Sequence, residues 1–142
     1  MHKLDKAVDH TKKATRLDPS YVTFYQLGLI YAAKNDLDKA LESFDTALQY
    51  SPESYEVQYQ KGLVYMSQKK FDESIRSFQK VIELNPYFNE AYVTLGGAYY
   101  RKGDKASAEE QVNRLREMKQ NSYADAFQRW IQEQEQPGSM AE

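Results

Sequence analysis

Cysteine is absent from this chain of 142 residues, which excludes disulfide scaffolds, thiolate metal sites and cysteine nucleophiles together. Histidine is almost absent: His2 and His10 have no local His or Cys companion, so a metal site would have to recruit remote carboxylates. No glycine-rich phosphate loop and no G-x-S-x-G elbow occurs. Uncharged apolar runs never approach the length of about 18 residues that a membrane span needs. Charge of one sign is lacking too. The 19 basic and 21 acidic residues leave a net charge of −2, which predicts neither nucleic-acid binding nor attachment to an anionic membrane. Leu, Ile, Val and Phe together make up only a fifth of the chain, close to the range of disordered sequences. Twelve tyrosines weigh the other way, since each buries a large ring while keeping its hydroxyl wet. The chain is expected to fold as an all-α domain.

What the sequence does contain is a period. Gly28, Gly62 and Gly96 are 34 residues apart, and so are Tyr31, Tyr65 and Tyr99. Ala40, Ser74 and Ala108 keep the same spacing, as do Phe44, Phe78 and Val112, and then Ala47, Val81 and Leu115. Each unit reads as two helices. Phe24, Leu27, Gly28 and Tyr31 fall on one helical face; after a short polar turn, Leu37, Ala40, Leu41, Phe44, Ala47 and Leu48 form a second stripe. Asp18-Pro19, Ser51-Pro52 and Asn85-Pro86 end the second helices, because the residue before proline is pushed out of the α region. A glycine inside a helix costs about 1 kcal/mol in propensity. Its threefold recurrence, with a small residue in the facing helix, implies close approach of the two backbones.

These tracks resemble the tetratricopeptide repeat family over residues 21–122, in units 21–54, 55–88 and 89–122. Two departures stand out: Lys61 where the neighbouring units have Leu27 and Leu95, and Gln120 where a proline is due. Residues 1–20 match a second helix alone, at an offset of 33, with Leu4, Ala7, Val8, Ala14 and Leu17 as its apolar stripe. Either this is part of a longer chain, or another molecule covers that side. Residues 123–136 read as a capping helix, with Tyr123, Ala126, Phe127, Trp130 and Ile131 facing the last repeat. The alternative makes Trp130 an interface anchor. Residues 137–142 read as a loose tail.

The resemblance implies a right-handed α-solenoid of helix-turn-helix repeats, eight helices in all, with no cofactor, no metal and no catalytic residue. It implies a protein or peptide partner held in a concave groove lined by the first helix of each unit. On that basis the groove residues are Val22, Tyr25, Gln26 and Leu29 in the first unit. Glu56, Tyr59, Gln60, Leu63 and Met66 follow in the second, then Glu90, Val93, Thr94, Gly97 and Tyr100 in the third. Alternatively, neighbouring helices cover these side chains. Gly97 stands where Leu29 and Leu63 have side chains, so a pocket is expected beside Tyr100. The family's grip on the C-terminal carboxylate of Hsp70 and Hsp90 chaperones uses lysine, arginine and asparagine. The matching places here hold Tyr25, Leu29, Gln60, Glu90 and Thr94, none of them cationic. A neutral or apolar partner segment is therefore expected, with any basic residue near Glu56 or Glu90. A second reading has the N-terminal half repeat dock on another copy through Leu4 and Val8. The basic clusters Lys12-Lys13-Arg16 and Arg114-Arg116-Lys119 have acidic neighbours and read as solvated helix surface rather than a nucleic-acid site. If Met1 is the true start, the absence of a leader implies a cytoplasmic protein.

Overall fold

The computed structural model describes residues 2–136, and within them eight helices follow one another: α1 (His2–Leu17), α2 (Tyr21–Ala33), α3 (Leu37–Tyr50), α4 (Tyr55–Ser67), α5 (Phe71–Leu84), α6 (Asn89–Lys102), α7 (Lys105–Glu117) and α8 (Asn121–Glu135). The proposed tail, residues 137–142, lies outside the described residues. The closest pairs are α2–α3, α4–α5 and α6–α7, and nearly every other contact joins helices adjacent in the chain. Such a one-dimensional stack is the architecture of a repeat solenoid.

Local chemistry sets the helix ends. Ser20 accepts from the Thr23 N–H and Thr23 answers with its own hydroxyl, a capping box that starts α2. Ser54 and Asp104 cap α4 and α7 by accepting from Val57 and Ser107. The turns inside the repeats share one geometry: Asn35, Lys69 and Gly103 adopt positive φ, and the next N–H reaches back to Tyr31, Tyr65 and Tyr99. The α7–α8 connection, where proline is missing, uses this same turn. Lys119 has φ 59° and the Gln120 N–H donates to the Leu115 carbonyl at 2.8 Å. Thus α7 stops at Glu117 and α8 starts at Asn121.

The helix glycines have a job beyond the close backbone approach expected of them, which is seen at Gly96, where an added Cβ would lie 3.4 Å from the Ala108 carbonyl. A Cβ on Gly28 would lie 2.4 Å from the Phe44 ring, and one on Gly62 would lie 2.5 Å from Phe78. Each glycine is the seat of a phenylalanine from the second helix of its own unit. The facing small residue joins the two helices as well: Ser74 is fully buried and its hydroxyl donates to the Gly62 carbonyl at 3.1 Å. In the third unit the ring is missing, because Val112 replaces it. Phe127 of α8 fills the place, with its ring 2.2 Å from where a Gly96 Cβ would stand. Ala124 and Ile131 join it in the core around Leu115.

One further periodicity runs along an edge. Asp5 pairs with Lys34, Asp38 accepts from Gln68 at 2.9 Å, and Asp72 pairs with Lys102 at 2.6 Å. Each rung ties the start of a second helix to the end of the next unit's first helix. Lys105–Glu135 closes the series at 2.8 Å with the charges exchanged. Hydrogen bonding from Lys102 and its charge hold the Asp72 carboxyl below the ordinary carboxylate range. Lys61 is also explained. Clefts of about 290 and 300 Å3 open beside Leu27 and Leu95. At the equivalent place in the middle unit stands Lys61, its side chain 15% exposed and its ammonium paired with Asp45 of α3.

Candidate functional site

Three helices each turn one stripe toward a shared cavity of about 570 Å3. Leu63, Met66 and Ser67 come from α4; Val93, Thr94, Gly97 and Arg101 from α6; Tyr123, Ala126, Phe127 and Trp130 from α8. The spacings of three, four and seven residues are those of single helix faces. Its size and apolar lining with a few polar groups are those of a ligand site. An added Cβ on Gly97 would meet no heavy atom within 4 Å, so the cavity extends to the α6 backbone there.

The expected groove residues divide into two groups. Leu63, Met66, Val93, Thr94 and Gly97 line the cavity, and Tyr100 lies next to it, edge-on to Trp130 at 5.3 Å. The others do not line it. Val22 is 52% exposed and Gln26 is exposed at the far end, while Leu29 packs partly buried against the first core. Tyr25 stacks on Tyr21 and tilts against Phe44; Tyr59 is wedged between Phe78 and Phe88, 5.0 Å from the latter and edge-on to it. Burial pushes both phenols up, and nearby acids add to the shift. A hydrogen bond from Gln60 opposes it at Tyr25 and one from Thr94 opposes it at Tyr59. Both rings pack within their own repeat, and the hydrogen bonds from Gln60 and Thr94 tie their hydroxyls to the next one.

The two acids thought to face a basic partner are also engaged. Glu56 accepts from the Ser54 hydroxyl at 2.9 Å, and Glu90 accepts from the Tyr123 hydroxyl at 3.0 Å. The hydrogen bond to Glu90 pushes the Tyr123 phenol up. Sequence reasoning missed Arg101 and, on α8, named only Trp130 as an interface anchor, in the alternative to a cap. Extending the Val93–Gly97 stripe by one turn reaches Arg101. The Tyr123–Trp130 stripe, read as a cap, covers Gly96 with Phe127 and lines the cavity with the same ring. Of the self-docking pair, Val8 is 7% exposed within the first core, and Leu4 is partly buried. The most exposed apolar side chain of α1 is Leu17, at 86%. Among the described residues no group of three or more His, Asp or Glu could hold a metal ion, and no helix is long and apolar enough to cross a membrane.

Two family profiles match this chain: one described as TPR repeat over residues 28–69, the other as tetratricopeptide repeat over residues 55–88. Residues 28–88 thus match tetratricopeptide repeats. The chain's repeats are similar to a segment of the BBSome complex member BBS4. Identity is 39% over 56 residues to the Bos taurus protein and 36% over 56 residues to that of Mus musculus. In each case the match covers 39% of this chain and 11% of the relative, so the chain corresponds to about a tenth of those proteins. Among solved structures, a tetratricopeptide repeat protein from Parabacteroides merdae superposes with a TM-score of 0.79 at 22% identity, over 88% of this chain and 51% of that one. MamA from Desulfovibrio magneticus gives 0.76 at 22% identity, over 84% and 68%. YrrB, described as a TPR protein with an unusual peptide-binding site, gives 0.77 at 22% identity, over 90% and 67%. At these identities the superpositions establish the solenoid fold. Tetratricopeptide repeats are in general protein-interaction modules.

Proposed function

We propose that this chain is an adaptor that holds an apolar segment of a partner protein in the concave groove between α4, α6 and α8, without catalysing a reaction. The observation that carries the reading is the cavity of about 570 Å3, opened by Gly97 and walled by Leu63, Met66, Val93 and Trp130. An apolar concavity of this kind left uncovered marks an interaction surface. The peptide-binding site named for YrrB and the place of BBS4 in a complex support it by analogy. The test is selection from a displayed peptide library on the immobilised chain, with a Leu63→Glu variant as control. Leu63 is only partly buried, so circular dichroism should show the variant folded while it retains no peptide. Equal capture by both proteins would refute the reading. A second reading, docking of one copy on another through α1, rests on the exposure of Leu17 at the C-terminal end of that helix. It predicts a molar mass that rises with concentration and falls back in a Leu17→Glu variant.

A further inference from the structure

Resting on the groove reading, we infer that the partner segment carries an acidic side chain about one helical turn from its apolar anchor, and that Arg101 binds that carboxylate. Arg101 is the only charged residue lining the cavity, and it makes no ion pair among the described residues. Its neighbour Lys102 is tied to Asp72 on the edge of the solenoid. The two consecutive cations of the last turn of α6 thus serve different faces. Glu56 and Glu90 are hydrogen-bonded to Ser54 and Tyr123 and do not line the cavity, so the charge offered to an occupant is positive. This reverses the sign expected from the sequence.

The placement of Arg101 sets the spacing. Val93, Gly97 and Arg101 fall on one stripe of α6, each four residues from the next. At a rise of about 1.5 Å per residue, the guanidinium is rooted about 6 Å along the helix from the hole at Gly97. A bulky aliphatic or aromatic side chain filling that hole would therefore put a carboxylate within reach three or four residues away in a helical partner. In an extended partner, at about 3.3 Å per residue, the separation is about two residues. The planar guanidinium can take both carboxylate oxygens at once, which a lysine cannot. Arg101 is itself exposed, so the pair would form at the water-facing rim of the cavity.

The test selects peptides from a randomised displayed library on the wild-type chain and on Arg101→Glu. The selected peptides are remade with amidated C-termini and measured by fluorescence polarisation, Arg101→Gln included. Circular dichroism checks folding, which an exposed side chain such as Arg101 should not disturb. Wild-type selections should be enriched in Asp or Glu at the stated distance from a bulky apolar residue. Arg101→Gln should weaken them about fivefold, as expected for a single partly exposed ion pair. Arg101→Glu should select basic residues instead. Apolar peptides without acidic enrichment, unchanged binding by Arg101→Gln, or binding that needs a free C-terminal carboxylate would each overturn the inference and leave the groove reading standing. A dimer abolished by Leu63→Glu would make a second copy the occupant and overturn it as well. Failure to select any peptide sensitive to Leu63→Glu would overturn the groove reading itself.

Discussion

Gly96 and Gly97 are adjacent in one helix, and alanine at each should move stability in opposite directions. Both substitutions gain helix propensity, about 1 kcal/mol in favour of alanine. At Gly97 the new methyl meets no heavy atom within 4 Å, so that gain should appear almost undiminished. At Gly96 the methyl would stand 2.2 Å from the Phe127 ring and 3.4 Å from the Ala108 carbonyl, so the ring must give way by more than an ångström. Overpacking of this severity costs about 1–3 kcal/mol, and full expulsion of the ring about 3–5 kcal/mol. After subtraction of the propensity gain, Gly96→Ala should be neutral to destabilising by about 4 kcal/mol, while Gly97→Ala stabilises by about 1 kcal/mol. Urea unfolding followed by circular dichroism reads both midpoints. A second arm isolates the cause: in a Phe127→Leu background, much of the Gly96→Ala penalty should vanish, since the two residues are in contact. Equal shifts for the two alanines, or a Gly96→Ala penalty unchanged without the ring, would refute the seat-and-ring reasoning.

Three further outcomes follow from the fold. Lys69 and Lys119 hold positive φ at helix ends where glycine is free to do so, so Lys69→Gly and Lys119→Gly should each stabilise by up to about 1 kcal/mol; a loss of stability in urea would contradict this. The folded-state pKa of Asp72 is depressed by Lys102, so the native state binds fewer protons than the unfolded chain just below the ordinary value of 3.8. Its contribution is present above that value and is lost as pH falls through the depressed one; Asp72→Asn should flatten the acid limb of the stability curve, and an unchanged limb would count against the rung. Lys61→Leu should change stability by no more than about 1 kcal/mol, because leucine suits the track and Asp45 remains in water; a loss above about 2 kcal/mol would show that the Lys61–Asp45 pair carries real stabilisation.

The helical layout was readable because it repeats. Each turn and stripe is displayed several times, and coincidences at one spacing are independent of partner or environment. The cavity was half readable for the same reason: Leu63 and Gly97 lie on a track whose other member, Leu29, has a side chain. Events that occur once could not be read this way. Val112 looks like a conservative change until Phe127 is seen in the vacated place, and no local pattern announces that a ring from another helix will fill it. Tyr25 and Tyr59 have the right spacing for a surface strip. Their engagement depends on distant rings such as Phe88, which periodicity does not reveal. That Arg101 has no ion pair among the described residues is a property of its surroundings, as is the pairing of Lys102 beside it.

Phe127 seats its ring against Gly96 and also lines the cavity, so α8 is both the plug of the last repeat and a wall of that cavity. Docking of α8 and occupancy of the groove are therefore thermodynamically linked. A molecule that enters only when α8 is seated stabilises that helix by about 2.7 kcal/mol at a hundred times its dissociation constant. Backbone amides of α8 should then exchange with solvent more slowly in proportion to occupancy, while those of α1 and α2, several repeats away, keep their own rate.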